Sequence, residues 1–190
     1  MRIMLILVVA GTAFAQVGIH PYTLKTVSRQ YDRAGNLVSE SRFLTAVDKT
    51  GSLVTVDLDP SRGGARQILD VVNHRVILVE PRSAMASSAP YDWAPETRAC
   101  EDRFRAIRDA RVTVDRSAGA IQGVPVERVL VDLPDRRMEV FLAPSLACEM
   151  LRVTDTRNGV PLDTSAAEEL KVGDPDPRLF AIPADYRWIR

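Results

Sequence analysis

The chain has 190 residues, 46% of them hydrophobic, 26% charged and 6% aromatic, and its 25 Lys+Arg balance its 25 Asp+Glu. These figures exclude a disordered tail, a collagen-like rod and a polytopic membrane protein. A neutral balance also argues against a generic nucleic-acid binder, which carries a net basic surface.

The chain opens like a secretory signal. Arg2 precedes the apolar run Ile3 to Ala10, and Ala13-Phe14-Ala15 places small residues where a signal peptidase cuts. The run is shorter than the roughly 20 residues of a spanning helix. Residues 1–15 are therefore expected to be a signal peptide, and residues 16–190 one domain without a transmembrane span. A periplasmic or secreted location follows.

Short alternating segments broken by turn residues then dominate, as in an antiparallel sheet. Residues Tyr22 to Tyr31 read as a strand. After the Gly35-Asn36 turn, Leu37 to Val47 return, with Leu37, Phe43 and Val47 on one face. Leu53 to Leu58 form a strand stopped by Asp59-Pro60. Arg66 to Val71 and Arg75 to Glu80 make a hairpin. The run Val76-Ile77-Leu78-Val79 is apolar at every position, the pattern of a strand covered on both sides. Residues Arg82 to Ala94, rich in Ala and Ser, are expected to be a surface loop.

A main helix is expected from about Pro95 to Ala110, with Cys100, Phe104 and Ile107 forming an i, i+4, i+7 stripe. It carries Arg98, Arg103, Arg105, Arg108 and Arg111 against Glu101, Asp102 and Asp109, whereas the segment Asp163 to Asp176 is acidic. These two patches could attract one another. Strands follow at Arg111–Asp115, Val124–Leu133, Met138–Leu142, Glu149–Thr154 and about Ala167–Val172. Asn158-Gly159 is a good hairpin turn. The proline-rich segment Asp174–Pro183 predicts one helical turn and a final extended segment, with Leu179, Phe180 and Ile182 plugging an end of the sheet. The fold class is thus α+β, mostly β: a large curved antiparallel sheet packed around one main helix.

Cys100 and Cys148 are the two cysteines. In an oxidising compartment an even pair reads as a disulfide. No catalytic residues are assigned. The motifs G-x-S-x-G, S-x-x-K, G-x-G-x-x-G, P-loop and H-E-x-x-H are absent. His20 and His74 are the two histidines, and each reads as solvated or structural. No metal and no cofactor is expected, since the cysteines have no second ligand pair nearby. Asp57, Asp59, Asp174 and Asp176 flank turns and read as caps.

Three stretches together resemble a group of uncharacterised exported bacterial proteins over about residues 66 to 186: Ile121–Glu127, Glu139–Leu146 with Cys148, and Asp174–Tyr186. More distantly the layout is similar to the LolA/LolB-like lipoprotein-carrier superfamily. That resemblance implies an open half-barrel whose concave face binds acyl chains or a partner lipoprotein. The expected function is a non-enzymatic binding protein for a lipid-like ligand or a partner's hydrophobic segment, lined by Leu44, Ile77, Phe104, Phe141 and Leu151. The alternatives are an interaction or sensor module that binds an envelope protein, and a hydrolase with an unrecognised site.

Overall fold

The computed structural model describes residues 20–91 and 99–189. The signal-peptide reading of residues 1–15, and the expected helix start at Pro95, lie outside the described residues.

Strands β1 (Tyr22–Tyr31), β2 (Leu37–Val47), β3 (Leu53–Asp57), β4 (Arg66–Asp70), β5 (Arg75–Glu80) and β6 (Met85–Pro90) run as successive antiparallel neighbours. After one helical turn, α1 (Asp102–Arg105), come β7 (Arg111–Asp115) and the small pair β8 (Ala120–Ile121) and β9 (Val124–Pro125). Then follow β10 (Glu127–Asp132), β11 (Arg136–Ala143), β12 (Glu149–Arg157), β13 (Val160–Val172) and β14 (Arg187–Ile189). Twelve strands make one sheet in the order β14-β6-β5-β4-β3-β2-β1-β13-β12-β11-β10-β7. Only β14 pairs in parallel, along β6. The end strands β14 and β7 do not meet, so the sheet is not closed. No helix among the described residues is long and apolar enough to cross a membrane.

Because opposed residues of an antiparallel pair share a face, the register assigns every side chain to one of two sides. Call the side bearing Tyr22 and Leu24 the front. Across β1 and the strands from β13 to β7, the front is buried. Leu151, Val140, Leu142, Val129 and Val131 are at most 1% exposed there. Phe104 and Cys100 cover one part of this layer, and Val124, Val126 and Leu146 cover the other. Each such aliphatic side chain stabilises by about 1.5–3 kcal/mol relative to exposure.

Across β2 to β5 the back is buried as well, while on the front Val47 and Leu69 stay buried, 1% and 5% exposed. Ala46, Val54, Ile68, Ile77 and Val79 form a core on the back, and Leu179, Phe180, Ile182 and Tyr186 pack over it. Arg66 fastens this covering segment by donating from Nη2 to the Ala181 carbonyl oxygen at 2.6 Å. The helical turn at 177–179 and the final extended strand match the sequence reading, but the tail covers a face of the sheet rather than an end.

Three expectations are corrected. Among the described residues the main helix is one turn, Asp102–Arg105. Asp102 accepts from the Ala99 N–H at 2.9 Å, which ties the chain entering the turn to its first residue. Asp109 then takes a left-handed φ of 62° and sends the chain into β7. Ile107, 36% exposed, does not extend the stripe. Second, the expected loop 82–94 contains strand β6, entered through a tight turn at Pro81–Ser83 with Ala84 at φ 48°. Third, the run 76–79 is buried on one side only, since Leu78 is 50% exposed.

The Asn158-Gly159 turn joins β12 to β13 with φ values of 51° and 80°, the signs of a type I′ hairpin. Cys100 and Cys148 form a disulfide, Cα–Cα 5.3 Å, which ties the segment before α1 to the start of β12.

Candidate functional site

On the front of β2 to β6, away from the buried Val47 and Leu69, no described residue covers the sheet, and a hollow of about 280 Å³ opens there. Its walls follow from the register. Phe43, Asp57, Ala65, Glu80 and Met85 form one row across the strands. Thr55, Gln67, Leu78 and Ser87 form the next, and Ile189 on β14 closes the side. The apolar part is Phe43, Ala65, Leu78, Met85 and Ile189. Leu78 and Ile189 are 50% and 45% exposed, large apolar surfaces facing water.

The rim at Asp57 is built by local hydrogen bonds. Asp57 accepts from the Asp59 N–H at 2.9 Å and pairs with Arg62 Nε at 3.4 Å. Asp59 caps the following turn by accepting from the Ser61 N–H at 2.8 Å, and that bond holds its carboxyl below the usual range. The cap reading also holds at Asp176, which accepts from the Arg178 N–H. Gly63, at φ 64°, allows Arg82 to lie against the backbone. A Cβ there would meet Arg82 Cγ at 2.8 Å. Arg82 then reaches the Pro60 carbonyl oxygen at 3.2 Å.

The other polar lining groups are unused. Among the described residues, the side chains of Thr55, Gln67, Glu80 and Ser87 make no hydrogen bond or ion pair. Such groups are available to orient a ligand.

None of the five side chains expected to line a ligand borders this hollow. Leu44 and Ile77 lie on the back, in the core under Phe180. Phe104 and Leu151 are buried in the two front clusters. Phe141 is half-buried against the Leu151 cluster, with the Arg152 guanidinium 4.8 Å from its ring centre. The sequence does mark Phe43 and Val47 as one face. It gives no signal for Met85, which falls in the expected loop, or for Ile189.

Neither histidine borders the hollow. His20 is exposed, and His74 sits exposed in a turn at φ 50°. Neither imidazole has a hydrogen-bond partner among the described residues. No group of three or more His, Cys, Asp or Glu able to hold a metal occurs among them.

A part-buried polar cluster lies beside the disulfide. Tyr22 Oη donates to Glu149 Oε2 at 2.5 Å, and Arg103 Nη2 donates to the Cys148 carbonyl oxygen at 2.6 Å. Burial holds the Glu149 carboxyl above its ordinary range, against the opposing pull of Tyr22 and Arg103. The expected meeting of basic and acidic patches does not occur among the described residues. Arg105 pairs with Glu101, whereas Glu168 and Glu169 pair with Arg42, Lys25 and Lys171.

No protein-family model matches the chain, and no curated protein does. Among solved structures, the chain is similar to PNGF-II, at 12% identity and TM-score 0.46, over 85% of this chain and 30% of that one. It is similar to MucB at 14% identity and TM-score 0.48, over 90% of this chain and 60% of that one. It is also similar to the LolA superfamily protein NE2245 from Nitrosomonas europaea, at 10% identity and TM-score 0.42. That likeness covers 90% of this chain and 93% of the other. The chain thus spans about a third of PNGF-II and three fifths of MucB, and at these values the likenesses are ones of layout and carry no argument about what the chain binds.

Proposed function

We propose that the chain is an exported, non-enzymatic binding protein. Residues 1–15 are its signal, residues 16–190 form one half-barrel domain, and the hollow on the front of β2–β6 takes a lipid-like ligand. The observation that carries this reading is the uncovered front of these strands, where Leu78 and Ile189 face water beside unused polar groups. A disulfide supports an oxidising compartment.

Size narrows the ligand. A dry cavity of about 150 Å³ accepts benzene, so a hollow near twice that volume takes an apolar body of roughly a dozen atoms. That fits a short single chain or a ring system, and leaves a diacyl lipid mostly outside.

The test is uptake of an apolar fluorescent probe by delipidated protein lacking residues 1–15. Wild type should enhance the probe's emission saturably. Leu78→Lys, exposed and free of the core, should abolish the enhancement while leaving the urea midpoint unchanged. No uptake by wild type, or equal uptake by the variant, refutes the reading.

A further inference from the structure

We infer that the ligand of this hollow is a cationic amphiphile, whose ammonium or amidinium head docks on the carboxylate of Glu80. The inference rests on the binding reading above and adds the head group's charge.

Glu80 is the last residue of β5 and shares its face with Leu78, so its side chain rises on the hollow side. It is exposed and does not cap the turn that follows. Among the described residues it has no ion-pair partner. Asp57 lies in the same row, two strands away. Ala65 stands between them: its carbonyl oxygen accepts from the Asp57 N–H, and the β4–β5 register sets it opposite Glu80. Two strand spacings amount to about 10 Å. The two carboxylates therefore flank a gap floored by one methyl group, which leaves room for a compact head.

The cations around the hollow do not fill that gap. Arg62 is taken by Asp57. Arg66 lines the hollow from β4, but its pairing with Val56 and Val79 puts its side chain on the back, where it binds Ala181. Arg82 donates to Pro60, and Arg187 to the Met85 sulfur at 3.3 Å. On the hollow side Asp57 and Glu80 thus stand with Arg62, which Asp57 holds, and Arg187, which lies beyond Met85 from Glu80 and makes no ion pair among the described residues. A carboxylate head would face an unpaired Glu80. A cationic head would neutralise it, with its chain over Leu78 and Met85, while Thr55, Gln67 and Ser87 remain to hydrogen-bond neutral parts.

Isothermal titration with decylammonium, decanol and decanoate, each below its aggregation threshold, separates the claims. Decylammonium should bind tighter than decanoate by on the order of tenfold, with decanol between, and added salt should shrink the gap. Glu80→Gln should equalise the three, and Glu80→Lys should reverse their order. Equal binding of all three by wild type, or an unchanged order in Glu80→Gln, overturns the head-group inference and leaves the hollow standing. Failure of all three to bind overturns the hollow as well.

Discussion

Replacing Cys100 and Cys148 together by alanine removes the tie between the segment before α1 and the start of β12. The bridge closes a loop of 48 residues in sequence separation. Chain entropy for such a loop corresponds to about 4 kcal/mol at 25 °C. Cys100 is 6% exposed and packs beside Phe104, Val129 and Leu142, so truncation also leaves a small void, costing about 1 kcal/mol more. With a urea slope of about 2 kcal/mol per molar, the midpoint should fall by about 2.5 M. Equilibrium urea unfolding followed by tryptophan emission reads the change. Wild type treated with dithiothreitol should lose somewhat less, because its sulfur atoms remain in place. Hydrogen exchange should localise the loosening to residues 99–110 first. A loss below about 1 kcal/mol in the double variant would refute the reasoning. It would mean that Phe104 and the Arg103–Cys148 contact hold this segment without the bridge.

Two further outcomes test the packing. Phe180→Ala strips a half-buried ring from the back core of Ile68, Ile77 and Val79, and should cost about 2 kcal/mol in urea unfolding, below the fully buried range because the ring is partly wet. Glu149→Gln tests the buried carboxyl. Its folded pKa is raised by burial, so the protonated form is the one the fold prefers. Stability from this group is fully present below the unfolded pKa and is lost as pH rises through the folded pKa. Wild type and variant should therefore match in acid, with the variant gaining relative stability above the folded pKa. A variant that instead loses stability above that pKa would show that Tyr22 and Arg103 outweigh burial.

The elements most legible in the sequence were those whose signal is local. Arg75–Glu80 is a short apolar run between two charges and Arg111–Asp115 alternates valine with polar residues, and their limits are found to the residue. Asn158-Gly159 supplies the two positive φ values its hairpin needs. The extended start of the domain and the Cys100–Cys148 pairing follow from equally simple cues. Met85–Pro90 fails the same test, since MASSAP has little strand preference. It is extended because β5 pairs on one side and β14 along part of the other, a tertiary influence no window can contain. The helix 95–110 was over-read from three apolar positions, of which only Cys100 and Phe104 find a core.

Which face each strand buries was illegible for a different reason. Alternation tells that two faces differ, not which one another segment will cover. Val76-Ile77-Leu78-Val79 looks two-sided, yet the tail covers only Ile77 and Val79. The hollow's residues come from six strands, and their meeting depends on a register set by hairpins far apart in the chain.

The covering of the back core by residues 179–186 has a consequence for biogenesis. The hairpins from β1 to β6 need only neighbouring chain to pair, but Leu179, Phe180, Ile182 and Tyr186 lie more than a hundred residues beyond Ile68 and Ile77. During synthesis, Ile68, Ile77 and Val79 therefore stay wet until the tail emerges. In that interval the nascent chain offers a greasy surface to any holdase, and to other copies of itself.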